Sequence, residues 1–267
     1  MLCKRIIARL DIKGPNLVKG VHLEGLRIIG DPKEYAYRYM MQGADELFYV
    51  DTVASLYGRN HLIDIINSTA RKVFIPLTVG GGVSSTDHIR TLLCAGADKV
   101  SINTALFSEK DLITKGAHCF GSQAIVVSIQ AKKRGEKRWE AYAENGRQKT
   151  GKDVLIWIKE VIEAGAGEIL LTSIDQEGTM KGFDWELLEE ASKICTVPLI
   201  VGGGAGSTED IVRALSMKGV DAVCIASILH YGKLTLPELK TELMSQGIPV
   251  RLVDQVHNQT KSGSDNI

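Results

Sequence analysis

Apolar runs and amphipathic stretches alternate eight times along this chain. Runs rich in β-branched residues lie near 5–11, 46–51, 75–79, 98–103, 124–130, 168–173, 198–202 and 221–226. Most lack polar alternation, which predicts parallel strands covered on both faces. Between them, apolar residues recur at helical spacing near 31–43, 59–71, 86–95, 109–118, 152–164, 184–194, 208–218 and 235–246. Asp31 precedes Pro32 at a helix start, and Gly43, Gly96, Gly165 and Gly219 stand where helices end. Eight strand-then-helix units predict an α/β fold, a closed (β/α)8 TIM barrel rather than an open sheet. One barrel domain is expected over 1–252, followed by a polar, disordered tail at 253–267.

The pattern is written twice. Residues 75–107 and 197–229 both run apolar strand, triple glycine, Ser/Thr-capped helix, glycine, aspartate and apolar strand. GADELFYVD at 43–51 matches GAGEILLTS at 165–173, and RIIARLD at 5–11 matches AIVVSIQ at 124–130. Such duplication predicts two half-barrels of four units each. Two segments break the spacing. One is the first loop, 12–30; the other, 131–151, mixes aromatic and polar residues about Trp139 and Tyr142 with a turn at Glu144-Asn145-Gly146. The second predicts a β-hairpin inserted after the fifth strand.

Each glycine triplet, at 80–82 and 202–204, lets backbone N–H groups approach a phosphate, and the helix that follows adds the positive end of its dipole. Gly81 and Gly82 with Asn103 and Thr104, and Gly203 and Gly204 with Ala226 and Ser227, are expected to form two phosphate cradles. The expected ligand is a phosphorylated small molecule with a phosphate at each end. Active sites of these barrels lie at the C-terminal strand ends. That places Asp11, Asp51, Gln130 and Thr172 around the ligand, with Asp11 the candidate to move protons. Lys19, in the first loop, reads as a clamp over a bound phosphate. Arg5, Glu46, Lys99 and Glu168 begin four strands at the opposite end. From the residues alone, these charges serve equally well as ion pairs closing the barrel floor.

At 267 residues and 44% hydrophobic, the chain fits one large soluble domain. Lysine plus arginine and aspartate plus glutamate number 32 each, so no net charge draws it to nucleic acid or membrane. No apolar run is long enough to span a bilayer. Cys3, Cys94, Cys119, Cys195 and Cys224 form no CxxC and lie in or beside apolar segments, which reads as reduced core thiols in a cytoplasmic protein. The histidines lack metal-ligand spacing and no dinucleotide or Walker-type motif occurs, so neither metal nor cofactor is expected.

KRIIARLDIK, VKG at 18–20, TVGGGV, GADKVSINTA, FGSQA, GAGEILLTSID and the closing VRL resemble the cyclase subunit of imidazole glycerol phosphate synthase, the HisF family. The resemblance covers nearly all of 1–252. It implies that a glutaminase (HisH-like) subunit docks at the barrel floor, near Asp98, and releases ammonia there. Ammonia then passes a gate formed by Arg5, Glu46, Lys99 and Glu168. At the mouth, paired aspartates ending the first and fifth strands use it to cleave and cyclise a ribotide carrying two phosphates. Asp11 supplies the first aspartate, but Gln130 stands in place of the second. Glu177 likewise replaces an aspartate, and Gly202 a serine. Glutamine hydrogen-bonds but exchanges no proton near neutral pH. Ammonia reception is therefore expected to persist and ring closure to be impaired. In this the chain resembles second copies of the subunit in bacterial surface-polysaccharide clusters, which implies ammonia supply to a separate sugar amidotransferase. The alternative is the housekeeping cyclase subunit of histidine biosynthesis.

Overall fold

The computed structural model describes residues 2–53 and 60–252; the tail expected at 253–267 lies outside the described residues. The chain opens with β1 (Arg5–Lys13), β2 (Asn16–Val21), β3 (Glu24–Gly30), α1 (Pro32–Met41), β4 (Glu46–Asp51) and α2 (Asn60–Ala70). It continues through β5 (Leu77–Gly80), α3 (Thr86–Cys94), β6 (Lys99–Ile102), α4 (Asp111–Phe120), β7 (Ile125–Gly135), β8 (Arg138–Ala143), β9 (Gln148–Asp153) and α5 (Val154–Glu163). The remainder holds β10 (Glu168–Ser173), α6 (Trp185–Ile194), β11 (Leu199–Gly202), α7 (Thr208–Ser216), β12 (Ala222–Ile225), α8 (Ser227–His230) and α9 (Leu236–Ser245).

Eight strands run parallel in the order β1, β4, β5, β6, β7, β10, β11, β12, and β12 pairs back onto β1. The barrel is closed, and helices separate its strands. Equivalent helices start alike in the two halves: Ser85 accepts from His88 N and Ser207 from Asp210 N. Each cap satisfies an orphan donor of the first turn.

The inserted hairpin is present, with β8 antiparallel to both the long end of β7 and β9. Trp139 Nε1 pins it to Asp184, the cap of α6, at 2.9 Å. The first loop differs from expectation. It folds into a hairpin because β1 runs past the barrel rim, and its exposed edge pairs with β2 through Asp11↔Val18, Ile12↔Leu17 and Lys13↔Asn16.

Period-two alternation along β1 divides the interior. Ile6, Ala8 and Leu10 pack outward among the helices, in the main core. Ile7 faces inward and joins Phe48, Val126, Leu170, Ile200 and Cys224 in an apolar plug at the barrel centre. Cys224 is buried, but Cys3, Cys94 and Cys119 are exposed, contrary to the expectation of core thiols. Cys94 and Cys119 sit in the last turn of their helices on the side turned to solvent, while Leu92, Ala95 and Phe120 in the same turns keep to the core. All five thiols are free.

Candidate active site

Because the strands are parallel, their first residues meet at the floor and their last at the mouth. Arg5, Glu46, Lys99 and Glu168 do converge. Arg5 Nη1 lies 3.1 Å from Glu46 and 3.0 Å from Glu168; Lys99 Nζ lies 2.9 Å from Glu46 and 3.1 Å from Glu168. The Thr78 hydroxyl also donates to Glu46. Each charge touches two of opposite sign, so the ring is neutral. Burial works against the Arg5 charge, but Glu168 and Glu46 outweigh it and raise its pKa.

Asp98 sits beside this ring at the start of β6 and accepts from Leu77 N at 2.8 Å. Asp221 does the same for Leu199 N, and Asp45 for Ile6 N. A carboxylate tying down the adjacent strand start is thus a repeated device. Asp98 also borders a floor cavity of about 450 Å3 with the exposed Phe74.

The mouth holds two cavities of unequal size. The larger, about 460 Å3, is lined by Gly81, Gly82, Asn103, Thr104, Asp51 and Gln130 among others. Gly81 adopts φ 112°, and a Cβ there would lie 2.5 Å from the Asp51 carbonyl oxygen, so only glycine permits this turn. The inserted hairpin closes one rim: Asn103 Nδ2 donates to Tyr142 O at 3.2 Å and Glu144 N to Thr104 Oγ1 at 3.0 Å. Gln130 Nε2 reaches Asn145 Oδ1 only at 3.4 Å, and among the described residues Gln130 Oε1 has no partner.

The smaller cavity, about 20 Å3, has room for a single water and is lined by Gly203, Gly204, Ala226, Ser227 and Glu177. Gly178 and Met180, from the segment after β10, border it as well, and the first hairpin packs against Gly178 from outside through Gly20 and Val21. Lys19, only 2% exposed, bridges Asp11 at 3.2 Å and Glu177. His22 N donates to Glu177 O at 2.8 Å, and Leu23 packs with Tyr142 and Ile174. Lys19 is therefore a buried strut beneath the hairpin in this structure and lines neither cavity. Thr172 is buried and also lines neither, with its hydroxyl unpaired among the described residues.

Asp11 is likewise screened. Arg9 Nε donates to Asp11 Oδ1 at 2.8 Å, while Lys19 holds Oδ2. Burial alone would raise the Asp11 pKa, but Arg9 and Lys19 outweigh it and hold the carboxyl well below the usual carboxylate range. As arranged, Asp11 is a fixed anion with no proton to give. Sequence reasoning passed over Arg9. A signal was there: Arg9 falls on the same face of β1 as Arg5 and Asp11, a cation in an otherwise apolar stretch. Asn145 reads from the sequence as a turn residue alone, and only the folded hairpin brings it to Gln130.

Comparison with known proteins decides the family. The profile described as "Histidine biosynthesis protein" matches residues 5–235. Imidazole glycerol phosphate synthase subunit HisF of Dictyoglomus thermophilum is 52% identical over 252 residues, covering 94% of this chain and all of that protein. The chain belongs to the HisF family. The subunit of the same name from Legionella pneumophila is 59% identical over 206 residues, 77% of this chain and 97% of that protein. That of Bacillus cereus strain Q1 is 50% identical over 252 residues, 94% of this chain and all of that protein. All three names denote a subunit of a synthase, hence one part of an assembly. Among the described residues of this HisF-family barrel, no cluster suited to a metal ion occurs and no helix is long and apolar enough to cross a membrane.

Proposed function

We propose that this chain is the synthase subunit of a glutamine-dependent complex of the imidazole glycerol phosphate synthase type. A glutaminase docks at the floor and hydrolyses glutamine to glutamate and ammonia, and the barrel carries the ammonia toward a phosphorylated ligand at the mouth. The observation that carries this reading is the neutral ring of Arg5, Glu46, Lys99 and Glu168, closed at 2.9–3.1 Å across the floor. Such a ring bars ions and bulk water, and the loss of one contact opens a path for a small neutral molecule. Co-purification with a glutaminase, and a rise in its glutamine hydrolysis when the barrel is added, test the reading. A partner that binds elsewhere or hydrolyses glutamine no faster overturns it.

The names of the relatives support ring closure in histidine biosynthesis as the use of the ammonia. A second use is supply to a separate amidotransferase that amidinates a surface-polysaccharide sugar, a reading that rests on Gln130 standing where the cyclase has its second aspartate. Gln130 carries no titratable proton near neutrality, and Asp11, held ionised, can accept a proton but has none to give, so the acid of the expected pair is missing. Ammonium salt with the two-phosphate ribotide isolates the mouth from ammonia supply. The second use expects turnover about 100- to 10,000-fold below an ordinary rate. Turnover on the order of 1 per second or faster assigns the chain to histidine biosynthesis.

A further inference from the structure

Arg9 is only 5% exposed, yet most of its donors are unused. Its Nε donates to Asp11 Oδ1 at 2.8 Å, and neither Nη donates to any described residue. Neither Nη is sealed off, and Arg9 borders both mouth cavities. It rises from β1 one inward-facing step above Ile7 of the apolar plug, which sets it at the base of the mouth between the two glycine turns. Among the described residues lining either cavity it is the only lysine or arginine, against Asp51, Glu109, Glu144 and Glu177. Ser101 and Ser128 border the larger cavity as well, and their hydroxyls have no hydrogen-bond partner among the described residues. A guanidinium taken out of bulk water with its outer edge unmatched calls for an acceptor in the space it faces.

We infer that the Nη edge of Arg9 is a third anion site of the mouth, lying between the two glycine turns, and that it takes a carboxylate. The inference rests on reading the mouth as the ligand site, and it adds a chemical class to that ligand. The glycine turns offer backbone N–H groups and helix starts, which receive a phosphate. Arg9 offers a planar fork instead, and two parallel N–H groups match the two oxygens of a carboxylate. The fork has little freedom to seek another anion, because its Nε is tied to Asp11 and Lys19 holds the other oxygen of Asp11. A neutral carbonyl in the same place would accept from the fork more weakly, since hydrogen bonds between charged partners are about twice as strong. Both glycine turns stay available to phosphate. The class of ligand is therefore a phosphorylated carboxylic acid, such as a phosphorylated sugar acid.

Calorimetric titration of the full chain tests this without ammonia or a glutaminase. The probes are linear monophosphates of increasing chain length, each ending either in a carboxylate or in the isosteric carboxamide. The wild-type protein should bind the carboxylate at least about tenfold more tightly than the carboxamide at one favoured length. Arg9→Gln keeps a donor and loses the charge, and should cut that preference to less than about threefold. Arg9→Lys keeps the charge and loses the fork, and should fall between the two. A wild-type protein that binds both probes equally at every length overturns the carboxylate site and leaves the mouth as a phosphate site. A folded Arg9→Gln protein, checked by circular dichroism, that keeps the full preference overturns it as well. Should Arg9→Gln fail to fold, the wild-type comparison and Arg9→Lys decide, and full preference in Arg9→Lys removes the fork. Binding of no probe by the wild-type protein overturns both the site and the reading of the mouth. Glutaminase activation, measured on the same preparation, stands or falls separately with the barrel floor.

Discussion

Arg9 and Asp11 are neighbours on one face of β1, and their side chains form a buried ion pair of 2.8 Å in which Arg9 borders both mouth cavities and Asp11 borders neither. A strand repeats every two residues, so a cation two positions before an inward carboxylate is delivered to it by the backbone. The pair converts the mouth carboxylate of the first strand from a titrating group into a fixed charge.

This has a consequence for any attempt to restore ring closure. Gln130→Asp alone is expected to raise ammonium-dependent turnover of the ribotide by less than about tenfold, because Arg9 borders the same cavity and its charge favours the ionised form of a new carboxylate there. Adding Arg9→Ala to Gln130→Asp should raise the rate further, by at least about tenfold, within the range an acid–base group supplies. Product formation with ammonium salt measures both steps. A full rate from Gln130→Asp alone would refute the role given to Arg9.

Lys19 ties the first hairpin to the barrel. Lys19→Met strands Glu177 without its cation, and breaking a buried pair in this way costs about 3–5 kcal/mol. Lys19→Met combined with Glu177→Met should cost clearly less, since no charge is left unpaired. Urea unfolding gives the two stabilities, and hydrogen exchange should show the β2–β3 amides losing protection first. Equal stability of the single and double variants would contradict the strut.

The floor separates two roles of Asp98. Asp98→Asn keeps an oxygen for Leu77 N while removing charge, so it should leave stability nearly unchanged and weaken glutaminase binding several-fold. Asp98→Ala abandons a buried N–H and should also lose about 1–3 kcal/mol of stability. Phe74, 83% exposed on the same cavity, is expected to be the stronger anchor, so Phe74→Ser should weaken the complex at least tenfold, about 1.4 kcal/mol. Indifference of partner affinity to all three changes would place the dock elsewhere.

His230 gives the fold an acid-sensitive element. It is buried against Tyr39, whose hydroxyl lies 2.6 Å from Nδ1. Burial first, and Lys19 second, push its pKa down to about 4 from 6.5. The unfolded chain therefore binds a proton that the folded protein refuses between these values. Its contribution is complete above about pH 6.5 and is lost as pH falls toward 4, by at most about 3 kcal/mol. In His230→Asn the slope of stability against pH over that window should flatten. An unchanged slope would assign the acid sensitivity to other groups.

By itself the sequence determined the barrel, its two halves and most of their boundaries. Strand runs, helical spacing and capping residues are local signals, and here each agrees with its neighbours, as with Ser85 and Ser207 at equivalent helix starts. Parallel strands also sort residues by order alone, so the meeting of Arg5, Glu46, Lys99 and Glu168 was legible from their places at four strand starts. What the chain could not disclose depends on distances between segments far apart in sequence. The closure of the first hairpin arises because Lys19 reaches Glu177, 158 residues away. The screening of Asp11 follows in part from that packing, and the placing of Arg9 at the edge of both mouth cavities follows from what the neighbouring strands bring around it. Charge, burial and free space at the mouth are properties of the assembled barrel, since each depends on what the opposite strands bring to within a few ångströms.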